Sequence, residues 1–184
     1  MELFHSLTAY LDPIVMSVIA FVEQNQAWLI PITFLLAFGE SLAFISLILP
    51  STVILVAISA LLGKTNVGTV HIFFIWLAAG LGGGLGYWAS YVIGVWFKDD
   101  VGKIWPFRTR PEMLVRGRAF FDKWGALGVF LGHFFGPVRA VVPVIAGSLA
   151  MKQLPFQLAN FSSAFLWAAG VLVLPLYGVR WFTG

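Results

Sequence analysis

Three ionisable side chains stand inside otherwise apolar stretches of this 184-residue sequence: Glu40, His133 and Arg139. Each is costly at the depth of a bilayer unless paired or wetted, and each is therefore a candidate for function. Arg139 stays charged and offers a planar fork of donors that matches a phosphate or a carboxylate. Glu40 suits proton carriage or charge balance, because burial and a neighbouring cation pull on its proton in opposite directions. His133 has the chemistry to carry a proton near neutral pH or to donate to an anion, although a lone histidine in an apolar segment also serves as a satisfied core residue. Ser51 and Thr52 follow Pro50, and their hydroxyls can donate to a bound anion or cap the helix that follows. A structural alternative remains for Glu40 and Arg139, in which they neutralise each other and pin two segments together.

Other chemistries find little support. The chain has no cysteine, which removes disulfides and thiolate metal sites. It has no HExxH, no GxSxG and no histidines paired at metal spacing, and His5 and His71 are isolated, so neither an enzyme nor a metal or other cofactor is expected. The GLGGGLG run from Gly80 to Gly86 lacks the Lys-Ser/Thr pair and preceding strand of a phosphate loop. Inside a membrane such small residues let helix backbones approach closely. Trp124, Trp167 and the many phenylalanines read as lipid-facing or packing residues.

The elements that must position these residues belong in a bilayer. Apolar residues make up 60% of the chain and charged residues 10%, with a mean hydropathy of +0.92; soluble domains run nearer about half apolar and about a quarter charged. The first residues lack a basic n-region and a small-residue cleavage site, so no removable signal peptide is expected. The net charge of +3 does not point to nucleic acid, because seven of the eleven basic residues crowd one loop and its following helix. Lys98, Lys103, Arg108, Arg110, Arg116, Arg118 and Lys123 there alternate with Asp99, Asp100, Glu112 and Asp122. A basic segment between hydrophobic spans is placed on the cytoplasmic side, where it can also lie against anionic head groups.

Five hydrophobic stretches follow one another. Asp12 and Pro13 open the first, which ends near Glu23 after roughly 11 residues, about 17 Å of helix and too short to cross. The second, from Trp28 to Gly63, is interrupted at Pro50, which suggests two short arms of a re-entrant hairpin. Broken backbone at membrane depth is tolerated only inside protein or beside a wet cavity. The third, Thr69 to Phe97, carries no proline and spans about 43 Å as a helix. Pro111 to Trp124 reads as an amphipathic surface helix. The fourth, Gly125 to Ala150, is broken by Gly136, Pro137 and Pro143 and reads as a second hairpin. The fifth, Leu154 to Val179, is a plausible span with Pro175 near its end. The expectation is one membrane domain over 1–184. Within it, 1–27 form an interfacial helix, 28–97 a hairpin plus span, 98–124 the basic loop and amphipathic helix, and 125–179 a second hairpin plus span.

An internal echo ties the halves together. Pro50 lies ten positions after Glu40, and Pro143 lies ten positions after His133. Trp76-Leu77-Ala78-Ala79-Gly80 is echoed by Trp167-Ala168-Ala169-Gly170. With the basic loop cytoplasmic, the two hairpins enter from opposite faces, so the expected fold is all-α with two inverted hairpin-plus-span repeats. Transporters so built hold substrate near the midplane, between discontinuous helices.

FDKWGALGVFLGHFFGPVRAVVPVIAGSLAM, followed by Phe156, Asn160 and Trp167, resembles the DedA family of bacterial inner-membrane proteins (the VTT, or SNARE-associated, domain). GESLAFISLILPSTVIL resembles that family's earlier element, an acidic residue followed by a Leu-Pro turn, and its wording fits the YabI-like branch. The resemblance covers about Trp28 to Val179. It implies a multi-pass protein of the bacterial inner membrane that handles a lipid carrier, notably undecaprenyl phosphate, with dependence on the proton-motive force. Glu40 matches the family's essential membrane acid and Arg139 its second arginine. His133 stands where the family has its first arginine, Ser51-Thr52 where many members carry an acid, and Tyr87 where an aspartate is common. The expected activity is translocation of a polyisoprenyl phosphate or similar anionic lipid, with Arg139, His133, Ser51 and Thr52 binding it, Glu40 balancing charge, and breaks at Pro50, Pro137 and Pro143. A homo-oligomer is among the expected assemblies. Two other readings stay open: a proton-coupled exchanger of a small ion, and a non-transporting membrane-homeostasis protein.

Overall fold

A computed structural model describes residues 20, 24–43, 51–65, 67–103, 107–135, 139 and 141–183. Among these every regular element is helical. In chain order they are α1 (Gln26–Ser41), α2 (Ser51–Gly63), α3 (Thr69–Phe97), a 3-10 turn (Lys98–Lys103), α4 (Glu112–Trp124), α5 (Ala126–Gly132), α6 (Val142–Ser148), α7 (Gln153–Ala168), a π-helical turn (Ala169–Val173) and α8 (Leu174–Thr183). Most of the interfacial helix expected before Gln24 lies outside the described residues, as do Pro50, Gly136 and Pro137.

Among the described residues two helices are long and apolar enough to cross a membrane: α3, with 29 residues, and the continuous run Gln153–Phe182, with 30. The others are short. The 16 residues of α1 give about 24 Å and the 13 of α2 about 20 Å, against a hydrocarbon core of roughly 30 Å. Pro31 sits inside α1 without ending it. The arms α5 and α6 have seven residues each. Pro143 is the second residue of α6 and starts that arm, a position where the missing N–H leaves no helical bond unmade.

The π turn has a local cause. Pro175 has no N–H to donate, and its ring crowds the carbonyl of Val171, four residues back. The helix widens just before it, and the backbone N–H of Leu174 donates to the Ala169 carbonyl, five residues back. The Ser59 hydroxyl donates to the Leu172 carbonyl within this turn, which fastens α2 to it.

Helix α3 is the hub on which α1, α6 and α7 pack, and its glycines show why. A Cβ at Gly82 or Gly86 would collide with the carbonyl of Phe34 or Phe38 on α1. At Gly80 or Gly84 it would strike the ring of Phe165 or Phe161 on α7. The glycine run is thus two interleaved contact faces on one helix, as expected where backbones meet in a membrane. The buried apolar residues form two clusters. Ile72, Ile75 and Ala79 belong to one, with Leu55, Leu62 and Trp167. Tyr87 and Tyr91 belong to the other, with Phe121, Val144 and Phe156. Between these stretches of α3 lies Gly83, which faces Ser41 Oγ and His133 Nε2.

Candidate functional site

Two short helical segments and one full-length helix converge on a single ion pair. Glu40 comes from the last turn of α1 and Arg139 from the break between α5 and α6, ninety-nine residues further along the chain. The Arg139 Nη1 donates to Glu40 Oε1 at 3.0 Å, with the two side chains 3% and 8% exposed. The other guanidinium nitrogen, Nη2, donates to Ser41 Oγ at 2.8 Å. Thr52, in the first turn of α2, donates its hydroxyl to the same Glu40 oxygen. The face of the guanidinium lies 4.2 Å from the centroid of the Trp167 ring on α7, a cation–π arrangement that strengthens when water is excluded. The α1 end that supplies Glu40 is itself held by Ser90 of α3, whose hydroxyl accepts from Ala43 N at 2.7 Å and donates to the Ser41 carbonyl at 3.2 Å.

His133 joins this site through the same tryptophan, Trp167. Its ring lies 6.1 Å from Trp167 and 4.6 Å from Tyr87, measured between centroids. Phe156 stacks on Tyr87 at 6.3 Å. His133 is 1% exposed and Tyr87 fully buried. Among the described residues neither ring nitrogen of His133 nor the Tyr87 hydroxyl has a hydrogen-bond partner, and the same holds for Asn160 Oδ1. The amide nitrogen of Asn160, by contrast, donates to the Gly84 carbonyl at 2.9 Å. In the ion pair, Glu40 Oε2 and Arg139 Nε are also unpartnered. A buried polar atom left without a partner costs roughly 1–3 kcal/mol. Seven occur among the described residues, Thr33 Oγ1 being the seventh. Two belong to a charged cell, the ion pair beneath Trp167. Those of His133 and Tyr87 belong to a neutral cell that reaches Trp167 through the His133 ring, with Asn160, bonded to Gly84, counted beside it. A point one carbon out from Gly83 would be 3.5 Å from Ser41 Oγ and 3.8 Å from His133 Nε2, so a small hollow links the cells.

Of the residues singled out in the sequence, Glu40, Thr52 and Arg139 meet directly, and His133 abuts the same tryptophan. Ser51 opens α2, but its side chain is outside the described residues. Pro143 lies buried near the start of α6. Two participants were missed. Ser41 gave no signal beyond its place next to Glu40. Trp167, expected to face lipid or pack, is only 7% exposed and offers its face to Arg139; the signal that could have found it was its match to the family's tryptophan.

The arrangement defines a helical membrane protein with an ion pair buried where broken helices meet. Comparison with known proteins agrees. The chain is 32% identical to the inner membrane protein YabI of Escherichia coli K12 over 148 residues, 80% of this chain and 57% of YabI. It is 28% identical to YghB of the same organism over 91% of this chain and 71% of that protein, and 28% identical to YqjA over 80% and 64%. The chain thus spans about 57% of the length of YabI. No family model and no solved structure matches it. These relatives are DedA-family inner-membrane proteins, and the likeness fits the YabI-like branch.

Proposed function

We propose that this chain is a multi-pass translocase for an anionic lipid carrier, a polyisoprenyl phosphate such as undecaprenyl phosphate, and not an enzyme. In this reading α1–α2 and α5–α6 are re-entrant hairpins entering from opposite faces, each followed by a full span. The observation that carries it is the half-used ion pair: Arg139 engages Glu40 and Ser41, yet its buried Nε and the buried Glu40 Oε2 have no hydrogen-bond partner among the described residues. Arginine and carboxylate held so can trade partners. A phosphate oxyanion takes the guanidinium fork, assisted by His133 and the hydroxyls of Ser41 and Thr52. Displacement frees Glu40 to carry a proton, which links anion arrival to proton uptake and so to the proton-motive force. The likeness to inner-membrane proteins supports an inner-membrane setting.

Flipping of fluorescent polyisoprenyl phosphate in proteoliposomes tests the reading. Arg139→Lys keeps the charge but loses the planar fork, so it is expected to fold and to lose most of the flux. Wild-type flux from that variant would overturn the proposal, and flux that follows a soluble ion and ignores lipid phosphate would make the protein an exchanger.

A further inference from the structure

Helix α4 lies across α5 and α6, and the three enclose a cavity of about 540 Å³, within the roughly 300–1,000 Å³ of ordinary ligand pockets. Its walls are apolar: Phe120 and Phe121 from α4, Leu131 from α5, Val142 and Ile145 from α6. Gly117 makes the close approach of α4 possible, since a Cβ there would collide with the end of the Ile145 side chain. One charged residue lines the cavity, Arg116, and it is exposed. Among the described residues the ion pairs are Lys103–Asp100 and Arg139–Glu40, so Arg116 has no carboxylate partner there. Beside it on the rim stand Trp124 and Phe135, 41% and 60% exposed.

We propose that this cavity holds one hydrocarbon chain of an anionic phospholipid, with the lipid phosphate on Arg116. The occupant follows from the chemistry of the walls and the rim. An apolar slot in a membrane protein is supplied with hydrocarbon from the bilayer, and an exposed tryptophan marks the level of the head groups. A basic rim at that level selects anionic lipids, and the segment carrying Arg116 also carries Arg108, Arg110, Arg118 and Lys123. The site is separate from the Arg139 pocket, but the two share a wall. Gly132, Val141 and Val142 line the cavity, and Gly132 is the chain neighbour of His133. A chain in the slot therefore bears on the back of the segment that presents His133 and Arg139, and steadies it.

Photocrosslinking of the full chain in vesicles decides the matter. Phosphatidylglycerol and phosphatidylcholine, carrying the same diazirine-bearing chain, are compared by mass spectrometry of the adducts. Adducts at residues lining the cavity are referred to those at Leu174, a lipid-facing control that is 70% exposed. The phosphatidylglycerol preference at the cavity should exceed that at Leu174 by about fivefold, the selectivity expected of one arginine near a charged surface. Arg116→Glu should erase the preference, and Leu131→Trp, which fills the slot, should reduce adducts of both lipids there. Equal preference at the two places, or a preference that survives Arg116→Glu, overturns the proposal. Should Leu131→Trp fail to fold, Arg116→Glu decides alone, because its side chain is exposed. The readout is binding, so a negative result here leaves the flux test at Arg139 untouched.

Discussion

The two polar cells that meet at Trp167 are built on opposite plans. In the first, Arg139 joins Glu40, Ser41 and, through Glu40, Thr52, so that the break after α5, the end of α1 and the start of α2 are tied at one point. In the second, Tyr87, His133 and Asn160 come from three helical segments and leave four buried polar atoms without partners. The charged groups make three side-chain hydrogen bonds and leave two buried atoms unpartnered among the described residues, whereas the neutral groups leave four. That division suits a site whose ligand arrives with its own oxygens: the charged cell fixes the geometry, and the neutral one has donors and acceptors to offer.

Breaking the charged cell should have the largest effect. Arg139→Ala leaves Glu40 buried with no cation, and the loss of stability should be about 3–5 kcal/mol, read as a lower unfolding midpoint in detergent. The double variant Glu40→Gln with Arg139→Gln removes both charges and should recover most of that loss without recovering transport. A single variant as stable as the parent would mean that the pair is not what joins the segments. Second in size is the wall that brings α1 to α3. Gly82→Ala drives a methyl into the Phe34 carbonyl, and overpacking of this kind should cost about 1–3 kcal/mol. It should also loosen Glu40, so flux falls together with stability.

These two cells were unequally legible in the sequence. Lone charges in apolar stretches must find each other or water, so the meeting of Glu40 with Arg139 could be read from residue type and hydropathy alone. So could α3, which has length, no proline and no charge between Thr69 and Phe97. Trp167 could not, because a packing tryptophan and one that carries a guanidinium have the same local composition. The Trp76 echo even misleads: Trp76 donates its indole N–H to the Phe165 carbonyl at 3.1 Å, while Trp167 uses its face. Pro175 was visible as a feature near the end of the last span, but the π turn it induces depends on which carbonyl its ring crowds. Pro31 shows the converse, a proline that a membrane helix absorbs.

The neutral cell predicts smaller effects with the opposite sign. Tyr87→Phe removes a buried hydroxyl that has no partner, so stability should hold or rise by about 1 kcal/mol. If the site takes a lipid phosphate as proposed, flux should drop, because a donor beside His133 is gone. A fall in stability would show that the hydroxyl is bonded in the folded protein and that the two cells are built alike.

Gly83→Ala is the smallest and sharpest test, because Gly83 sits where the cells adjoin. Unlike its neighbours Gly82 and Gly84, it has room for a methyl: Ser41 Oγ, Ala164 Cβ and His133 Nε2 would stand 3.5, 3.7 and 3.8 Å away, all ordinary contacts. Replacing a helical glycine by alanine should add up to about 1 kcal/mol of stability. The same methyl fills the hollow between Ser41 and His133. If a ligand oxygen must pass or rest there, the variant should be more stable than the parent and slower in the flux assay. Stability and flux rising together would show that the hollow is only a packing gap, and that the neutral cell stands apart from the path along which Arg139 meets its anion.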